Sequence, residues 1–105
     1  MIVQSRQEND GTVVLTVVVD ALIASRAAQF REEVDRAMVA ATGRVEVDCS
    51  RLDFIDSSGV GALLHMVKLL PVGRPPVRLT GVGPKVLANL ELMCVHRIFD
   101  LVPST

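Results

Sequence analysis

The sequence contains no tryptophan, no tyrosine and three phenylalanines, so aromatic residues fill 3% of its 105 positions. That scarcity removes the stacking platforms on which single-stranded nucleic acids are held. Charge removes the other requirement: Lys and Arg total 11, Asp and Glu total 12, the net charge is −1, and no basic block stands out. A chain of this kind offers a phosphate backbone little, and no nucleic-acid partner is expected. Long apolar runs are also missing. The longest, Val13 to Val19, is interrupted by Thr16 and closed by Asp20, far short of the ~20 residues that span a bilayer. No membrane insertion is expected. Met1 to Arg6 lacks the basic-then-apolar order of an export signal, so the expected location is cytoplasmic. Cys49 and Cys94 lie far apart outside any CxxC pair, which favours two buried thiols over a disulfide. His65 and His96 stand apart from the cysteines, so neither a metal site nor a cofactor is expected.

What the chain does have is aliphatic bulk. Half of its residues are hydrophobic, enough for one core of Val, Leu, Ile and Ala in a single domain covering 1–105. Ile2 to Gln7 alternates weakly, Asp10-Gly11 is a turn signal, and Thr12 to Val19 is β-branched and almost wholly apolar, suiting a strand covered on both faces. The pair predicts a β-hairpin. Ser25 is a candidate N-cap for a helix whose apolar stripe is Phe30, Val34, Ala37, Met38 and Ala41, with Gly43 as its C-cap. Arg44 to Cys49 alternates with period two, placing Val45, Val47 and Cys49 on one buried face.

Ser50 to Ile55 is a connecting stretch. A second helix begins near Ser57, with Val60, Leu63, Leu64, Val67 and Leu70 inward, and Pro71 and Gly73 stop it. Val77 to Thr80 is a short strand and Gly81 to Gly83 a turn. Pro84 opens a third helix at its first position, with Val86, Leu87 and Leu90 buried. Val95 to Val102 is a final strand candidate with Ile98 and Phe99 packed. The order β-β-α-β-α-β-α-β predicts an α/β domain. Its sheet is mostly parallel, begins with an N-terminal hairpin and has helices packed on it through right-handed crossovers.

The unusual segment is Phe54-Ile55-Asp56-Ser57-Ser58-Gly59-Val60-Gly61-Ala62-Leu63. Two apolar residues lead into Asp-Ser-Ser, and a helix follows at once. Gly59 and Gly61 fall in its first turns, where each glycine costs about 1 kcal/mol relative to alanine. Close helix–sheet approach or a surface left bare for a partner would offset that cost. Unpaired N–H groups and partial positive charge at a helix start suit a capping hydroxyl, and they equally suit a phosphate. On residues alone, three readings stay open: a plain cap, a phosphate acceptor, and a nucleophilic serine. The last lacks a base or oxyanion hole tied to it by any motif. Gly81-x-Gly83 lacks the third glycine of a phosphate loop.

Leu52 to Leu63 resembles the signature of STAS-domain anti-sigma-factor antagonists, and Gly83-Pro84-Lys85-Val86 with Leu90 resembles their third-helix region. The resemblance implies a non-enzymatic, phosphorylation-switched binding module without cofactor. Ser57, directly after Asp56, is the implied phosphorylation site, with Ser58 the alternative. Asp56, Ser57, Ser58, Gly59, Val60 and Gly61 are the implied partner contacts. The implied partners are an anti-sigma factor that is also a GHKL-type serine kinase, and a metal-dependent serine/threonine phosphatase. Unphosphorylated antagonist binds the anti-sigma factor and releases the sigma factor. The chain departs from the pattern twice. The glycine-containing acidic segment before the first helix reads Val18-Val19-Asp20-Ala21-Leu22-Ile23, leaving Asp20 as the acidic contact. The family's final helix has no counterpart before Thr105, which leaves weak homodimerisation through an exposed face open. The alternative function is a non-switching STAS subunit of a transport assembly or a stress-signalling scaffold.

Overall fold

The computed structural model describes residues 1–39 and 41–104; Ala40 and Thr105, both inside the expected domain, lie outside the described residues. The elements run β1 (Val3–Gln7), β2 (Val13–Val17), β3 (Ala21–Leu22), α1 (Ala24–Met38), β4 (Val45–Asp48), β5 (Phe54–Ile55), α2 (Ser57–Leu69), β6 (Arg78–Val82), α3 (Pro84–Leu92) and β7 (Asp100–Pro103). The main sheet has the order β1-β2-β4-β6-β7, and β3 pairs with β5 in a separate two-stranded sheet. Only β1 and β2 are antiparallel; the β2–β4, β4–β6 and β6–β7 pairs are parallel. The α/β class, the N-terminal hairpin and the mostly parallel sheet are therefore as expected from the sequence.

Each parallel step crosses the sheet in the same direction through one helix. Right-handed crossovers then leave all three helices on one face. Leu15, Val17, Val45, Val47, Leu79 and Phe30 form the core beneath them, each at most 1% exposed. The opposite face is mostly polar, with Val14 and Val102 among its charged and hydroxyl residues. Arg78 Nε donates to Asp100 at 2.9 Å, and its guanidinium lies 3.5 Å from Glu46, so β4, β6 and β7 are tied in register.

Several local expectations change. The helix α1 begins at Ala24, with Ile23 as N-cap and no side-chain cap of its own, so Ser25 lies inside the first turn. It ends at Met38, before Gly43. Gly43 instead donates its N–H to Gly11 of the hairpin turn at 3.1 Å. The connecting stretch contains a real strand, β5, in parallel register with β3. Residues expected to start the last strand form a turn; Ile98 is 42% exposed and Phe99 alone packs inward. Among the described residues no helix is long and apolar enough to cross a membrane.

The two cysteines also separate. Cys49 is a buried free thiol, and burial, reinforced by Asp48, pushes its pKa up to about 12, which leaves it unreactive. Cys94, expected to be buried, is exposed at φ 59°. It follows α3, where Cys94 N–H donates to Glu91 and Val95 N–H to Leu90, both at 3.0 Å. These are the paired bonds of a Schellman stop, whose left-handed position is normally glycine.

The glycines at the start of α2 are not equivalent. A Cβ on Gly59 would lie 2.2 Å from the Leu22 carbonyl oxygen and 2.7 Å from Ile55. The helix can sit this close to the β3–β5 pair only without a side chain there. A Cβ on Gly61 would meet only the Arg31 guanidinium, at 3.6 Å. We therefore expect Gly59→Ala to destabilise the domain by about 3 kcal/mol through overpacking, and Gly61→Ala to stabilise it by up to about 1 kcal/mol. Urea unfolding midpoints measure both, and equal effects would contradict this packing. By the same measurement Cys94→Gly should raise stability by about 1 kcal/mol, since it removes the cost of a left-handed residue with a Cβ.

Candidate functional site

The Asp56–Gly61 segment stands where β5 turns into α2, at the carboxyl ends of the parallel strands. Asp56 is extended, at φ −101° and ψ −176°, and its two carboxylate oxygens have different tasks. Oδ1 accepts the Gly59 N–H at 2.9 Å and caps α2. Oδ2 accepts the Ala24 N–H at 3.1 Å and supplies the cap that Ile23 cannot give α1. Two helix starts, each carrying roughly half a positive charge, thus converge on one carboxylate. The Asp56 N–H donates to the Leu22 carbonyl at 3.3 Å, which fixes the backbone of the loop to β3.

Asn89 of α3 completes the frame. Its Nδ2 donates to the Ile55 carbonyl at 2.8 Å, so the residue before Asp56 is held from the opposite side. No pattern in the sequence marks Asn89, because its role depends on a contact 34 positions away.

On this frame Ser57 is the first residue of α2 and is exposed, while Ser58 is half-buried. Among the described residues the Ser57 hydroxyl has no hydrogen-bond partner. His65, the histidine nearest in sequence, is occupied by Asp35 at 2.8 Å. Gly59 and Val60, expected among the partner contacts, are buried; Val60 is 1% exposed because it points into the core between α2 and the sheet. Both shape the site without presenting a surface. Gly61 is half-buried on the side of α2 that faces Arg31 of α1.

Asp20 joins the site through its backbone. Its carbonyl accepts the N–H groups of Asp53 at 2.7 Å and Phe54 at 3.1 Å, and its own side chain is 78% exposed. Arg26 lies 3.6 Å from the Asp20 carboxylate and donates to the Ala21 carbonyl at 2.7 Å. Phe54 is a further surface residue that sequence reasoning did not place among the contacts. Strand alternation turns Ile55 fully inward and leaves Phe54 47% exposed. Asp20, Asp53, Phe54 and Ser57 are all exposed around this segment, with Arg26 paired to Asp20. Among the described residues no group of His, Cys, Asp and Glu could hold a metal ion.

The comparisons agree with this architecture. No curated protein matches the sequence significantly. The chain superposes on an anti-sigma-factor antagonist (STAS) domain protein from Planctomyces limnophilus with a TM-score of 0.85 at 18% identity, covering 98% of this chain and 90% of that one. It matches the anti-sigma factor antagonist SpoIIAA in its unphosphorylated form with a TM-score of 0.68 at 23% identity, covering 98% and 89%. The phosphorylated form of Bacillus SpoIIAA matches at 0.67 and 22% identity, covering 95% and 90%. At these identities the likeness concerns the fold. A family model described as "Mlab, STAS domain" matches residues 3–103, and the chain therefore belongs to the STAS domain family.

Proposed function

We propose that this protein is an anti-sigma-factor antagonist: a cytoplasmic binding module, without catalysis of its own, that is switched by phosphorylation of Ser57. The observation that carries this is the unpartnered, exposed Ser57 hydroxyl at the first position of α2. Asp56 already caps the helix, so Ser57 is not needed as a cap and stays open to a kinase. The solved fold relatives described as antagonists, one of them in phosphorylated form, support the same reading. The unphosphorylated surface of Asp20, Asp56, Ser57, Ser58 and Gly61, with Phe54 beside it, would contact a GHKL-type anti-sigma kinase and so free the sigma factor. A metal-dependent serine/threonine phosphatase would reset it.

Electrostatics make the switch effective. A phosphate adds about −1.5 to −2 charges at a surface already bordered by exposed Asp20 and Asp53. Like-charge placement under a partner costs several kcal/mol, and 1.4 kcal/mol is a decade of affinity. A second reading is a non-switching STAS subunit of a transport assembly or a stress-signalling scaffold, in which the loop that Asp56 holds through its two helix caps is a static contact.

Incubation with the cognate anti-sigma kinase and ATP separates the two. Intact mass should rise by one phosphoryl group in the wild type and stay unchanged in Ser57→Ala. Ser57→Glu should weaken kinase binding about a hundredfold or more. Full phosphorylation of Ser57→Ala would move the site to Ser58, and absence of any mass gain would favour the static subunit.

A further inference from the structure

The seam between α1 and α2 carries a cation with no assigned task. The two helices run the same way, since both N-termini meet at Asp56. Their facing residues fall on rungs one turn apart. Asp35 of α1 meets His65 of α2 at 2.8 Å. One turn towards the N-termini, the Arg31 guanidinium lies 3.6 Å from the point where a Cβ of Gly61 would stand. One further turn along α2 stands Ser57, four residues before Gly61 and on the same side of the helix. Among the described residues Arg31 makes no ion pair or hydrogen bond, whereas Asp35 beside it is taken by His65.

We infer that Arg31 is the residue of this chain that receives a phosphate carried by Ser57, an inference that rests on the phosphorylation reading above. Positions i and i+4 of a helix lie about 6 Å apart at Cβ. The Arg31 guanidinium, seated over Gly61, therefore needs only a small rotamer change to reach a phosphate on Ser57. Helical side chains lean towards the helix N-terminus, here towards Ser57. Gly61 keeps the path clear, since any larger side chain at that position would occupy the space between them. Guanidinium and phosphate then pair in the fork geometry that arginine offers and lysine does not. Phosphorylation would thus change two side chains at the partner surface: Ser57 gains charge and Arg31 is drawn off its seat over Gly61.

The test places phosphoserine at position 57 during translation of the full chain, so no kinase is required, and follows its second ionisation by phosphorus NMR. That ionisation is normally near pH ~6. A paired arginine favours the dianion, so the wild-type midpoint should lie about half a unit or more below that of Arg31→Gln. Arg31→Lys should recover part of the shift. Asp56, held in the two helix caps, the Asp35–His65 pair, the Asp20–Arg26 pair and Asp53 are the other ionisable groups around Ser57 and the seam; all are present in every variant, so their effects cancel. Arg51→Gln, on the loop before β5, should titrate like the wild type. Equal midpoints for wild type and Arg31→Gln would overturn the inference. Equal shifts in Arg31→Gln and Arg51→Gln would also overturn it, by showing only the general field of the protein. Failure of every kinase to modify Ser57 would instead count against the switch itself, and the titration would still report on Arg31.

Discussion

A single carboxylate, that of Asp56, holds the starts of two helices, and the geometry of the candidate surface depends on it. It accepts one N–H from α1 and one from α2. An N-cap of this kind contributes about 1 kcal/mol to one helix; here the same side chain serves two. The arrangement also frees its neighbours. Because Asp56 satisfies α2, Ser57 can stand at the first helical position with its hydroxyl towards solvent. Because Gly59 has no side chain, α2 can approach Leu22 closely enough for the carboxylate to reach Ala24. Positioning and display are consequences of one contact.

The same geometry explains how a modification could alter binding without refolding the domain. A phosphate on Ser57 would enter a region where helix N-termini favour negative charge. The domain can tolerate it, while a partner that must bury it against Asp20 and Asp53 cannot do so cheaply. The core beneath is aliphatic and closely packed, with Val60, Leu63 and Met66 of α2 at most 1% exposed. A phosphate above it would add charge and bulk at one edge of the domain.

Much of this was legible in the sequence. The hairpin followed from Asp10-Gly11 between a weakly alternating segment and a β-branched run, the parallel sheet from the alternation of strands and helices, and the start of α2 from Asp56-Ser57-Ser58 ahead of an apolar stripe. What could not be read were features that depend on contacts distant in the chain. Ser25 fits the local rule for an N-cap, but the cap of α1 comes from Asp56, 32 residues away. The β3–β5 pair is too short to leave a period and exists only because the two loops lie side by side. Cys94 sits after a well-formed helix in a sequence without glycine there, so nothing signalled a left-handed stop. Gly59 and Gly61 look alike in sequence and differ only in what lies opposite each.

Hydrogen exchange at two amides addresses the central contact most directly. Asp56→Ser retains an oxygen that can cap α2 but is too short to span to α1. If the carboxylate holds both helices, the Ala24 amide should lose its protection in this variant while the Gly59 amide keeps most of its own. An Ala24 amide that exchanges at the same rate in wild type and variant would show that α1 is held by something else.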